Sequence, residues 1–283
     1  MKPKILIPVD FSKNSLNALD YATELYKNKV CEFFIVNAYY LSGYDADSLL
    51  IPKPDDKALN TIKENSQKNI AVVKSHVESQ HKNWAHTFHF ASVFGPLLQV
   101  LTDEVEKKDI ELIIMGAKGE QNSQNLIYGS RTVSIMEKVR NCPVLVIPNQ
   151  SEFTYPSEIV FPTRFTTHFK HAELKHLTEI SKIAHAPIRL LYITDKDKLS
   201  TQQQVYKELL EEIFEGYEYS FHKLSGVDLE TGLNCFMESR ESGMIAFINK
   251  KHKFFDSIFS NPLVKDLGHA MKVPILAMHD QTV

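Results

Sequence analysis

The feature that most constrains this chain is a pattern that runs through it twice. Ile5-Leu6-Ile7-Pro8 returns as Ile159-Val160-Phe161-Pro162, and Cys142-Pro143-Val144-Leu145 returns as Lys272-Val273-Pro274-Ile275-Leu276. Between these marks, short apolar runs alternate with stretches whose apolar residues recur at helical spacing. The runs have the length of buried strands and the stretches have the period of amphipathic helices. In the first half the predicted strands are Ile5–Val9, Phe33–Ala38, Thr87–Ala91, Leu112–Met115 and Val144–Ile147. The predicted helices are Asn14–Tyr26, Asp56–His81, Pro96–Lys108 and the segment after Gly129. Strict alternation of this kind implies a parallel sheet with helices on both faces. The second half repeats it, with helices near Thr167–Ala184, Gln202–Phe214 and Leu229–Arg240, and strands near Ile188–Ile193, Tyr217–Phe221 and Met244–Ile248. The chain reads as an internal duplication. At 283 residues it also has the size at which one core tends to split into two. The expectation is two tandem α/β domains, residues 1–149 and 157–283, joined by the polar stretch Asn149–Pro156.

Chemistry concentrates between Leu112 and Pro148. Two apolar runs enclose a glycine frame: Gly116, two residues, Gly119, nine residues, then Gly129-Ser130. Val133, Met136 and Val139 follow at helical spacing. Glycine lets backbone approach a ligand without a side-chain clash. A helix starting after Gly129 offers free N–H groups and the positive end of its dipole, which suits a phosphate. Ser130 can cap that helix or bond a phosphate oxygen. A plain strand-to-helix turn would use the same residues.

That frame resembles the ATP-binding signature of the universal stress protein family: Gly116-x2-Gly119-x9-Gly129-Ser130, after an apolar strand and before Cys142-Pro143-Val144-Leu145-Val146. The resemblance implies a fold of five parallel strands in the order 3-2-1-4-5, with helices on both sides, in each half. It implies ATP, with or without Mg2+, as the bound cofactor. It places Asp10 by the adenosine and the position of Ala38 against the adenine. The residues implied in binding are Pro8, Asp10, Ala38, Met115, Gly116, Lys118, Gly119, Gly129, Ser130 and Arg131. Family members pair through their last strands, so the two halves here can pair with each other; a further homodimer stays open. The function implied is that of a cytoplasmic stress-response protein, a nucleotide-dependent regulator or partner-binding module. A slow ATPase and a scaffold that binds no nucleotide remain as alternatives, and the sequence identifies no base to activate water.

Read from the residues alone, several of these positions keep a second meaning. Asp10 ends a strand, where ligands of open α/β sheets sit, yet Asp10, Ser12 or Ser15 can equally cap the next helix. Lys118 and Arg131 can neutralise phosphate or stand as solvated cations. Tyr39–Asp55 is a long loop that can serve as a flap or a surface insertion.

The second copy lacks this chemistry. Arg164 stands where Asp10 stands, Asn249-Lys250-Lys251 occupies the region of the first glycine pair, Gly116 maps to about Ile248, and Ser260-Asn261-Pro262 replaces Gly129-Ser130-Arg131. The second half is expected not to bind ATP in the manner of the first.

Other classes lose support. The net charge of −3 gives no electrostatic case for nucleic acid or an anionic membrane. No apolar run approaches the ~20 residues of a membrane helix. Cys31, Cys142 and Cys235 are too scattered for a disulfide framework, which points to a reducing cytoplasm. There is no GxxxxGK[ST] and no GxGxxG. His168 and His171 are placed on one predicted helix face, without a third ligand for a metal.

Overall fold

The computed structural model describes residues 2–40, 56–80, 86–118, 129–149, 152–249 and 272–280. The first half runs β1 (Lys4–Pro8), α1 (Lys13–Leu25), β2 (Glu32–Tyr39), α2 (Asp56–Gln80), β3 (Thr87–Phe94), α3 (Leu97–Lys108), β4 (Leu112–Gly116), α4 (Ser130–Lys138) and β5 (Val144–Ile147). The second half runs β6 (Ile159–Pro162), α5 (His171–Ala184), β7 (Ile188–Ile193), α6 (Thr201–Ile213), β8 (Tyr219–Leu224), α7 (Leu229–Arg240), β9 (Met244–Asn249) and β10 (Ile275–His279).

The strands form one sheet, in the order β3-β2-β1-β4-β5-β10-β9-β6-β7-β8. Each half is parallel within itself and has the order 3-2-1-4-5. The seam is an antiparallel pair, the one such pair among the described residues, β5 with β10, in the register Ile275↔Val146, Leu276↔Leu145, Ala277↔Val144. The two halves therefore join through their last strands.

The inner strands of the sheet are buried on both faces, which is why they read as continuous apolar runs, while the edge strands β3 and β8 are partly exposed. Alternate residues feed two cores. Ile5, Ile7, Leu112 and Ile114 pack under α1, α2, α5 and α6, while Leu6, Ile113, Met115 and Val144 pack under α3, α4 and α7. Burying one such side chain contributes about 1.5–3 kcal/mol. Both cores cross the seam without a break.

Three predicted elements shift by more than a residue. The strand predicted near Tyr217–Phe221 lies at Tyr219–Leu224, because its register with β7 runs from Ile188↔Tyr219 to Ile193↔Leu224. β3 runs three residues beyond the predicted Ala91, because its register with β2 continues to Tyr39↔Phe94. The helix predicted from Thr167 starts at His171, where the Glu173 carboxylate accepts the Lys170 N–H across 3.1 Å. His168 consequently lies ahead of α5 and shares no helix face with His171; its ring sits edge-on to Tyr206 at 6.4 Å.

Candidate functional site

The carboxyl ends of β1, β2 and β4 meet at the point where strand order reverses, the usual place for a ligand in an open parallel sheet. β1 ends at the buried Pro8, after which the Val9 N–H donates to the Val36 carbonyl at 2.9 Å. The chain then turns through Phe11, at φ 68°. A bulky residue in the left-handed region is uncommon and needs support. Asp10 supplies it: its Oδ1 accepts the Ser12 N–H at 3.1 Å and the Ser12 hydroxyl at 2.5 Å. Ser12 in turn caps α1 by accepting the Ser15 N–H at 3.2 Å. So Ser12 is the helix cap, and Asp10 is an exposed carboxylate that props the turn before it.

β4 delivers Gly116 to the same place. A Cβ at Gly116 would stand 2.9 Å from the carbonyl oxygen of Asn14, in the first turn of α1. Helix packing alone therefore demands this glycine. Ala117 is fully buried; its N–H donates to the Ile147 carbonyl at 2.8 Å, and its carbonyl accepts the Gly129 N–H at 2.9 Å. Lys118 is half-buried, and its carbonyl accepts from Asn14 Nδ2 at 3.1 Å. Asn14 thus ties the turn after β1 to the exit of β4.

Gly129 caps α4 with φ −69° and ψ 147°, backbone that any residue can adopt. It brings no side chain to the first turn, where Ser130 and Arg131 are exposed. The N–H groups of Ser130, Arg131 and Thr132 lack intrahelical partners, as in any first turn, and they open beside the Gly116–Lys118 exit. Thr132 Oγ1 donates to the Gly116 carbonyl at 3.3 Å and fixes the helix there. Met115 is buried in the core beneath. Gly119 and residues 41–55 of the predicted Tyr39–Asp55 loop lie outside the described residues. Tyr39 itself belongs to β2.

Ala38 sits half-buried near the end of β2. Beside it lies a buried polar chain that the sequence reading missed. Asn37 Nδ2 donates to the Val9 carbonyl at 2.6 Å, and Ser66 Oγ of α2 donates to Asn37 Oδ1 at 2.6 Å and contacts Ser92 Oγ of β3 at 2.8 Å. It anchors β1, β2, β3 and α2 at the floor of the crevice. One signal for it was available: Asn37 is the lone polar residue inside an apolar strand.

Cys142 is buried, and burial pushes its thiol pKa well above the ordinary range, so it serves as a small core residue. Among the described residues no group of three His, Cys, Asp or Glu side chains is placed to hold a metal ion. No helix among them is long and apolar enough to cross a membrane.

In the second half the same strand-end turn recurs with other residues. The Thr163 N–H donates to the Leu191 carbonyl at 2.9 Å, the Thr163 hydroxyl accepts the Phe165 N–H at 3.2 Å, and Phe165 takes φ 52°. Pro162↔Leu191 matches Pro8↔Val36 in register. Arg164 therefore replaces Asp10, Tyr192 replaces Asn37 and Ile193 replaces Ala38. Likewise Met278↔Ile248 matches Ile147↔Gly116, so Ile248 replaces Gly116 and Asn249 replaces Ala117.

A parallel α/β sheet whose strand-end turn and loop-bearing fourth strand meet at a topological switch point defines an open-sheet ligand-binding architecture. The sequence profile of the universal stress protein family matches residues 1–148, more than half the chain, and the chain belongs to that family. It is 26% identical over 147 residues to universal stress protein MJ0531 of Methanocaldococcus jannaschii, across 51% of this chain and 81% of that relative. The crystal structure of a universal stress protein from Archaeoglobus fulgidus superposes with a TM-score of 0.71 at 15% identity, covering 97% of this chain and 95% of that one. A functionally unknown protein from Pseudomonas aeruginosa, PA1789, gives 0.60 at 12%, covering 98% and 92%. At such identities these two likenesses speak to the fold, and they extend over both halves.

Proposed function

We propose that the first half binds ATP, with or without Mg2+, at the crevice over β1, β2 and β4, and that the protein acts in the cytoplasm as a nucleotide-dependent stress-response regulator. The base would lie on Pro8 and Ala38, with the Asp10 carboxylate toward the ribose. The phosphates would lie along Gly116, Lys118, Gly119 and the start of α4 at Gly129, Ser130 and Arg131. The second half, from about residue 157, would act as a domain of its own that does not take ATP. The observation that carries this reading is the tie through Asn14, whose side chain holds the Lys118 carbonyl at 3.1 Å and so sets the Asp10 turn against the β4 exit. Beside that exit, the first turn of α4 is capped by a glycine with no side chain to occupy its N–H groups.

Gly129→Val is the variant to use, because valine adopts the observed backbone at that position; Gly129 is buried, so an unchanged far-UV spectrum and melting midpoint qualify the variant for the test, and Gly116 is already required by packing. Calorimetry with MgATP is expected to show saturable binding to the intact protein, weakened at least tenfold by Gly129→Val. Equal heats from the two proteins, or none from either, remove the site and leave a scaffold that binds no nucleotide.

A further inference from the structure

The crevice of the second half is not an empty copy of the first. A cavity of ≈200 Å³ opens at the carboxyl ends of β6 and β7, walled by Thr163, Arg164, Leu191, Ile193, Asp195 and Leu229. We propose that it is a second binding site, for a small organic anion: a compact apolar body carrying one carboxylate or one phosphate.

Size and shape come from Ile193. It stands in the register position of Ala38 and fills part of the space that an alanine leaves open. Nor can it withdraw: a Cβ on Gly232 of α7 would stand 2.8 Å from Ile193 Cδ1, so the helix backs directly onto this side chain. The cavity is smaller than the ~300–1,000 Å³ of ordinary cofactor pockets, and its lining is mixed, with Leu191, Ile193, Val227 and Leu229 forming an apolar part beside Thr163, Thr194, Asp195 and Arg164. Asp195 closes the outer wall by accepting the Gly226 N–H on Oδ1 at 2.7 Å, which holds the loop leading into α7.

Charge comes from Arg164. It is exposed at the rim, where the first half has a carboxylate. Its backbone carbonyl accepts from Gln203 Nε2 at 2.9 Å, but among the described residues its guanidinium has no hydrogen bond or ion pair. The Thr163–Phe165 turn fixes where the side chain leaves the backbone. A guanidinium beside the Leu191, Ile193 and Leu229 side of the slot selects a ligand with an anionic head and an apolar tail, the head turned toward Arg164 and away from the Asp195 carboxylate, since a guanidinium binds planar carboxylates and phosphates through paired N–H donors. The inversion from Asp10 to Arg164 sets the two halves to take different ligands.

Calorimetry on the full chain with benzoate, phenyl phosphate and neutral benzyl alcohol tests this. At least one of the two anions should bind saturably at millimolar concentration, and the alcohol at least tenfold more weakly. Whichever anion binds more tightly identifies the head group as carboxylate or phosphate. Arg164→Gln, an exposed change that leaves the fold intact, should weaken the bound anion about tenfold, and Gly129→Val should leave it unchanged. Absence of saturable binding by both anions overturns the proposal. So does an unchanged affinity in Arg164→Gln, or loss of anion binding in Gly129→Val, which would put the anion in the first half.

Discussion

The two halves share a sheet order, a turn geometry and even a left-handed phenylalanine after the first strand, yet they are tied together by opposite chemistry at both ends of the sheet. At the amino end of the first strand, Lys4 of the first half reaches the Lys108 carbonyl at 2.8 Å, just before the left-handed C-cap Asp109. Its counterpart Glu158 takes the other charge and binds Arg240, just before the left-handed C-cap Glu241. The same strand start is pinned to the same helix end with the polarity reversed. A duplicated scaffold thus fixes where a tie must be made and leaves open which side carries the charge. At the carboxyl ends the difference is steric as well. α1 begins at Lys13, whereas the equivalent Thr167 lies four residues before the start of α5. The first turn of α1 is what crowds Gly116. Where that turn is missing, the position holds Ile248, which packs into the core with Phe165 and Phe169. The glycine of the first half and the isoleucine of the second are two answers to the presence or absence of one helical turn.

The largest effect is expected at Glu158, which is 5% exposed and accepts from Arg189 Nε at 2.8 Å, Arg240 Nε at 2.8 Å and Ser242 Oγ at 2.7 Å. Glu158→Gln removes the counter-charge of Arg240 and leaves Arg189 with Glu218, at 3.7 Å, and should cost about 3 kcal/mol in urea unfolding. Burial by itself would raise the pKa of this carboxyl, but the hydrogen bonds from Arg240, Arg189 and Ser242 outweigh it and hold the group down to about 2. Its unfolded pKa is about 4.3, so the folded value is depressed. The contribution is therefore full above about pH 4.3 and is lost as pH falls toward the folded value. The variant should flatten that acid limb. The matching Lys4→Met change, at a more exposed tie, should cost about 1 kcal/mol or less. Equal losses from the two would break the view that the second half carries the stronger clamp.

Gly116→Ala comes next. Its Cβ would meet backbone, the Asn14 carbonyl at 2.9 Å, so α1 or β4 must move. Overpacking of this kind costs about 1–3 kcal/mol, read as a lower urea midpoint. Ile248→Ala in the second half removes core volume and should also destabilise, but there a smaller side chain is the harm. A neutral Gly116→Ala would show that the first turn of α1 yields easily and would return this glycine to a purely ligand-facing role.

The sheet was legible because buried parallel strands advertise themselves as apolar runs; β5, β7 and α7 have the bounds their sequences suggest. The start of α5 was not, because apolar spacing continues back through Phe169 while the actual boundary depends on one side-chain bond from Glu173. At the site, the positions of Asp10 and Gly116 could be read from strand ends and glycine spacing. The roles of Asn14 and Asn37 could not, since each is defined by a partner far away in the chain, at the Lys118 and Val9 carbonyls. A polar residue gains its meaning from what the fold sets opposite it, and spacing along the chain carries no record of that.

The smallest effect is expected where the second half is more polar than the first. Asn249 replaces Ala117 and His279 replaces Pro148, on adjacent strands and the same face of the sheet. Both side chains are buried, and among the described residues neither the Asn249 amide atoms nor the His279 ring nitrogens have a hydrogen-bond partner. Burial, with Arg140 nearby and against the opposing pull of Asp280, pushes the His279 pKa down to about 4. The unfolded chain therefore takes up this proton below its ordinary value of about 6.5 while the folded protein refuses it, so His279 lowers stability as pH falls between those values. Polar atoms that make no bond contribute little when replaced by apolar groups of similar shape. Asn249→Leu and His279→Phe should each stay within about 1 kcal/mol of the parent, or gain stability, at neutral pH. His279→Phe should also remove part of the loss between pH 6.5 and the folded value of about 4. A cost of about 2 kcal/mol or more from Asn249→Leu would mean that this amide is bonded in solution, and the second half would then hold a polar network of its own where the first has only alanine and proline.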